Sequence, residues 1–323
     1  MRLRSAALGL FAIVMTALPL AAAQAPFPLR PVKFLVPFPG GGINDVLARI
    51  AADKLAARWG QPIVIENKTG AGGNIGADAA AQAEPDGYTL FVTAPGPLAV
   101  NQSLYRQLSY KPEDFVPVTV LATVTNLITV RPDLGVNSVA ELIGLAKKNP
   151  GKITYGSQGN GSTPHLNGSM FMTMTGVSLI HVPYRGENLV VNDMLGGHVD
   201  VFFGNTAPVL PYYRDGKLKV LAVADARRVA TMPDVPTSAE AGLPGFISTS
   251  WFAVAGPPRM APALARDIAA DFAEVLKLPD LQAKYRSVGA EPGGSNPAET
   301  AAFIKAETAR WRDVIVKNEI RVD

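Results

Sequence analysis

Apolar residues along this chain fall into short runs that alternate with longer stretches of helical period. Val32 to Val36 is a mostly apolar run closed by Pro37, which reads as a strand. From Ile43 to Trp59, Val46, Leu47, Ile50 and Leu55 fall on one face of a helix. Pro62 to Glu66 is a second strand. A glycine-rich loop, Asn67 to Asn74, then leads into an alanine-rich helix reaching about Ala83. Pro85–Asp86–Gly87 is a turn, and Tyr88 to Thr93 is a third strand. This strand–helix order predicts an α/β fold with a mostly parallel sheet covered by helices on both faces.

The middle of the chain repeats the design. Val118 to Val130 is rich in valine, threonine and leucine, and Ser138 caps a helix that ends at Asn149–Pro150–Gly151. Ile153 to Tyr155 is a strand, Gly156 to Thr163 a loop of small residues, and Pro164 to Thr175 a helix. Leu179–Val182, Val199–Phe203 and Leu218–Ala224 read as strands separated by helices. The tail adds a strand at Trp251–Ala255 and two helices. The last opens with a capping box, Asn296 to Glu299, and turns Phe303, Ala306, Trp311, Val314 and Ile315 inward. Two halves of similar design predict two lobes facing one cleft.

The first residues change the picture of where the protein works. Arg2 and Arg4, the apolar run Leu8–Leu20 and small residues at Ala21–Ala25 form a secretory signal peptide over residues 1–23, cleaved near Ala23 or Ala25. The run is too short to span a bilayer comfortably, and with no cysteine after it a lipid anchor is excluded. Losing Arg2 and Arg4 lowers the formal charge from +3 to +1, and the remaining lysines and arginines are scattered. That balance argues against a nucleic-acid partner. Zero cysteines exclude a disulfide framework.

Two loops carry candidate chemistry. In Phe38–Asp45, three successive glycines (Gly40, Gly41, Gly42) allow a sharp turn with exposed amides, and Asn44 or Asp45 can cap the helix that follows. Free amides at a helix N-terminus suit a small anion, although short turns of this kind also need glycine for geometry alone. In Tyr155–His165, Ser157, Ser162 and Thr163 offer hydroxyls, and Gly159 and Gly161 allow close backbone approach. Neither loop contains lysine or arginine, so an anion there has to be held by amides, hydroxyls, helix dipoles and water, while Tyr184–Arg185–Gly186 follows a strand from which it could reach the cleft. There is no P-loop, no dinucleotide fingerprint and no Gly-x-Ser-x-Gly elbow. His165, His181 and His198 lack metal-ligand spacing. No cofactor, metal or catalytic group is therefore expected.

Assembled in order, these residues resemble the solute-binding proteins of tripartite tricarboxylate transporters, the Bug (Bordetella uptake gene) family. The matching motifs include Pro37–Asp45 with Ala48–Arg49, Val64–Lys68, Gly70–Gly76, Pro85–Thr89, Tyr155–Ser157, Gly161–Ser162, His165–Leu166, His181–Gly186, Leu195–Asp200, Pro233–Thr237 and Glu240–Gly245. The resemblance implies a two-lobed type II periplasmic-binding-protein fold that closes on its ligand. Lobe I would take residues 26–121 and 225–323, and lobe II residues 122–224, with hinges between them. It places Phe38, Gly40, Gly41, Gly42, Asn44 and Asp45 on the ligand. Ser157, Gly159, Ser162, Thr163, His165, Tyr184 and Asn205 would close from the other lobe.

The implied function is capture of a small organic carboxylate in the periplasm for delivery to membrane permease subunits, by a protein expected to be monomeric. Presentation of the acid to a sensor kinase is the alternative, and an exported enzyme on the same scaffold a third reading. The chain also departs from the family pattern. Gly204 stands where members often carry an acid before Asn205, Ser169 and Met170 where a glutamate is common, and Leu189, Val190 and Val191 where residues are usually smaller. These changes tilt the expected ligand away from amino acids and toward less polar mono- or dicarboxylates, including aromatic ones.

Overall fold

The computed structural model of the protein describes residues 27–317, 319 and 320. The expected signal peptide, residues 1–23, lies outside the described residues. In chain order the elements are β1 (Val32–Val36), α1 (Ile43–Trp59), β2 (Ile63–Asn67), α2 (Asn74–Ala81), β3 (Thr89–Thr93), α3 (Asn101–Leu104), β4 (Val116–Thr125) and β5 (Leu127–Val130). They continue with α4 (Val139–Lys148), β6 (Thr154–Ser157), α5 (Thr163–Thr175), β7 (Ile180–Pro183), α6 (Glu187–Leu195), β8 (Val201–Phe202), α7 (Thr206–Arg214) and β9 (Lys219–Val223). The chain closes with β10 (Thr249–Gly256), α8 (Pro262–Leu276), α9 (Pro279–Ser287), β11 (Ala290–Pro292) and α10 (Pro297–Lys317).

Two sheets result, ordered β11-β4-β10-β3-β1-β2 and β7-β6-β8-β5-β9. The β-α-β-α-β start gives the parallel trio β2-β1-β3, as its period predicts, while β10, β4 and β11 add antiparallel strands. One face of the first sheet packs Phe34, Val36 and Val92 against Leu47 of α1, Phe272 of α8 and Tyr285 of α9. The other packs Phe91 and Trp251 against Ala77 and Ala80 of α2, with Phe303 of α10 against them. The second sheet is likewise covered on both faces, through Phe171 and Phe203 on one and Val190, Phe202 and Val209 on the other. Leu166 of α5 joins Val100, Leu104, Trp311 and Ile315 across the lobes.

The segment Val118–Val130, read as one apolar stretch, divides at Asn126 between a strand of each sheet. Asn126 lies where three chain segments cross. Its amide donates to Ser248 O at 3.2 Å, its side-chain NH2 to Ser248 Oγ at 2.9 Å, and its carbonyl accepts from Ala224 N at 2.8 Å. Beyond this crossing, Met232, Val235, Leu243 and Phe246 of the returning segment are buried in the second lobe's core. The expected divisions after residues 121 and 224 therefore fall inside β4 and just before that segment.

The tail carries three helices where the sequence reading expected two. Only Lys277 and Leu278 separate α8 from α9, and Pro279 restarts the helix at its first position, where a missing N–H costs nothing. The capping expected at Ser138 is present, with Glu141 N donating to Ser138 Oγ at 3.1 Å. The box at α10 is reciprocal: Glu299 N donates to Asn296 Oδ1 and Asn296 N to Glu299 Oε2, both at 3.0 Å.

Candidate functional site

A cavity of about 390 Å³ lies between the lobes at the C-terminal ends of β1, β3 and β6. The first lobe lines it with Phe38, Pro39, Gly40, Gly42, Ile43, Asn44, Ala94 and Phe252. The second lobe contributes Gln158, Arg185, Gly186, Glu187, Asn188 and Leu189. Four of the expected residues, Phe38, Gly40, Gly42 and Asn44, thus line it directly.

The glycine turn brings the start of α1 to this wall. The cap is Gly42, with no side-chain hydrogen bond, so neither Asn44 nor Asp45 caps as expected. The first amide bonded within the helix is that of Val46, to Gly42 O at 3.0 Å. The amides of Ile43, Asn44 and Asp45 therefore have no partner among the described residues, as every helix start requires. The positive end of a 17-residue helix lies behind them.

Asp45 has a different role from the one expected. Its buried carboxylate accepts from the Gly41 amide at 2.9 Å, from Asn67 Nδ2 at 3.0 Å and from Arg49 at 2.8 and 2.9 Å. Burial pushes its pKa up, but these hydrogen bonds outweigh burial and hold it below the usual range. It ties the turn together and is not among the residues lining the cavity. Gly41 is likewise off the cavity wall: its amide goes to Asp45, its φ is +78°, and its carbonyl accepts from Asn188 Nδ2 across the cleft at 3.4 Å.

The second loop is also closed on itself. Ser157 Oγ, expected to meet the ligand, sits 2.7 Å from His181 Nε2 and accepts from Gly159 N at 3.0 Å. Ser162 Oγ donates to Gly159 O at 2.6 Å, and Ser162 is the α5 cap residue. Thr163 is buried as the first residue of α5. His165 Nδ1 accepts from Gly161 N at 3.1 Å, and its ring stacks on His181 at 4.2 Å. Burial depresses both rings, His165 to about 4 and His181, with the help of His165's charge, to about 3. Both are neutral near pH 7 and serve to brace the loop. The residue of this loop that reaches the cavity is Gln158.

Tyr184 donates to Asp193 Oδ2 at 2.5 Å and packs into the second lobe's core, away from the wall. Asn205, the α7 cap residue, is fully buried and donates to Glu187 Oε1 at 2.5 Å. Glu187 was not anticipated. It is the first residue of α6, 4% exposed, and burial drives its carboxyl up to about 7 against the pull of Asn205. An acid directly after a Tyr–Arg–Gly turn was the one sequence signal that marked it. Phe252, within β10, and Ala94, just after β3, come from strands distant in sequence and left no local signal.

Among the described residues no histidine, aspartate or glutamate group has metal-holding geometry, and no helix is long and apolar enough to cross a membrane. Residues 47–320 match the model of the tripartite tricarboxylate transporter family receptor, TctC. The chain belongs to the TctC family. A Bordetella pertussis relative, BugT, is 38% identical over 291 residues, covering 90% of this chain and 89% of that protein. A solved structure of Rpa4515 from R. palustris with adipate superposes with a TM-score of 0.89 at 38% identity, covering 92% of this chain and all of the other. MatC of Rhodopseudomonas palustris, solved with bound malate, gives 0.84 at 30% identity over 90% of this chain and all of that one. The TctC architecture is thus a two-lobed type II periplasmic-binding-protein fold of a solute-binding family, with its cleft walled by the residues above.

Proposed function

We propose that this TctC protein captures a small organic carboxylate in the cleft and, working in the periplasm, delivers it to the permease of a tripartite tricarboxylate-type transporter. The observation that carries this reading is the set of unbonded amides at Ile43 and Asn44, on the positive end of α1, at a cavity whose wall also includes the apolar side chains of Phe38, Phe252 and Leu189. That combination suits an anionic head on a partly apolar body. Hydrogen bonds to a charged group contribute about 1.5–3 kcal/mol each. Two or three of them plus apolar burial reach the roughly 8 kcal/mol of a micromolar complex. The adipate and malate bound by the two related structures support the same ligand class. The crossing at Asn126 and Ser248 serves as the hinge on which the lobes close.

Thermal denaturation across a panel of mono-, di-, amino and aromatic acids tests the reading. A ligand at a hundred times its Kd stabilises the folded state by about 2.7 kcal/mol. At least one acid should raise Tm by several degrees while its neutral amide analogue does not. A panel in which no carboxylate shifts Tm contradicts the proposal.

A further inference from the structure

The cavity wall carries more hydrogen-bond acceptors than the protein satisfies. Glu187 is buried there, and among the described residues no lysine or arginine pairs with its carboxyl; its side-chain partner is Asn205. On the facing lobe, Asn44 Nδ2 is fixed on Val92 O at 3.1 Å, so Asn44 Oδ1 is a true acceptor, buried and without a donor. Buried carboxyls are normally paired with a cation or forced neutral, and unmatched acceptors are costly. A ligand that brings several N–H donors and a positive charge meets all of these requirements together.

The position of Glu187 also answers the departure at Gly204. A side chain there has no room, because a Cβ on Gly204 would lie 1.9 Å from the Phe202 ring. The carboxyl that Gly204 cannot provide beside Asn205 comes instead from the first turn of α6. The part of the tilt away from amino acids that rested on Gly204 therefore loses its basis.

We propose that Glu187 contacts the ligand and sets its specificity, and that the acid taken by this cleft carries a protonated amine, its carboxylate on the α1 amides and its ammonium on Glu187 and Asn44. This deepens, and rests on, the carboxylate reading above. Because the free Glu187 titrates near 7, an ammonium that holds it ionised must displace protons on binding. A second ligand carboxylate, by contrast, needs Glu187 protonated. The two cases predict opposite pH slopes. Other charged groups around α6 do not blur this. Arg185 is exposed at the rim, Asp193 is taken by Tyr184, and Asp45 by Arg49. Tyr155 of β6 is raised to about 12, β8 has no ionisable side chain, and Tyr212, Tyr213 and Arg214 lie at the far end of α7.

Calorimetry decides the matter, using for each chain length from three to six carbons the plain acid, the α-amino acid, the ω-amino acid and the dicarboxylate. The wild-type chain should bind one amino acid at least about tenfold more tightly than the plain acid and the dicarboxylate of its length, with an affinity that rises from about pH 6 to 8. Glu187→Gln should lose that preference and that slope while keeping the plain acid. A dicarboxylate or plain acid preferred by the wild type, or an amino-acid preference untouched in Glu187→Gln, overturns this inference and leaves the carboxylate reading standing. Binding of no acid at all overturns both. If Glu187→Gln fails to fold, the wild-type ranking and pH slope decide alone.

Discussion

Asp45→Ala is expected to raise the Kd of the bound acid by about 100-fold, although Asp45 does not line the cavity. The carboxylate closes three contacts at once, to the Gly41 amide, to Asn67 and to Arg49. Breaking a buried charged network by removing one partner costs about 3–5 kcal/mol. Arg49 is 53% exposed and can return to water, so the lower end applies. About 3 kcal/mol of lost loop order corresponds to roughly 100-fold in affinity, because the amides of Ile43 and Asn44 are held in place by that turn. Arg49→Ala should cost far less, since Gly41 and Asn67 still hold the carboxylate. Titration of both variants, with folding checked by circular dichroism, measures the difference. A change under about threefold in Asp45→Ala contradicts a positioning role for the turn.

The largest effect on stability is expected at Gly204→Asp. The substitution would place an acid beside Asn205, yet the Phe202 ring occupies the space. A Cβ would lie 1.9 Å from Cζ and 2.4 Å from both Cε atoms. Phe202 is fully buried against Leu127, Val190 and Val209, so it cannot swing out. Overpacking costs about 1–3 kcal/mol, and a second buried carboxylate beside Glu187 adds the desolvation of an unpaired charge. A loss of at least about 3 kcal/mol should lower Tm by roughly 5 °C or more. Pairing the change with Phe202→Ala should recover part of the steric cost, a coupling that a double-mutant cycle reads directly. An unchanged Tm in Gly204→Asp means that the Phe202 ring moves freely.

How far the chain could be read depended on the range of the interactions. The α1 helix, the parallel start, the cap at Ser138 and the capping box at Asn296 are local patterns, and all are present. The wall residues Phe38, Gly40, Gly42 and Asn44 sit in the turn that local pattern singled out. Asp45 and Ser157 bond within their own turns and are not among the cavity's lining residues, as short polar side chains near a turn satisfy that turn's own backbone. Glu187 was overlooked because its side-chain partner is Asn205, 18 residues away, a contact that no local pattern marks. The division of the Val118–Val130 segment was hidden because β4 and β5 are both apolar and only Asn126 marks the crossing.

The structure of the complex with whichever acid raises Tm most is the most direct measurement of the central claim. The account predicts a carboxylate within about 3 Å of the Ile43 and Asn44 amide nitrogens, with the ligand body between Phe38 and Phe252. A carboxylate seated on Arg185 with those amides out of reach, or a ligand outside the cleft, contradicts it.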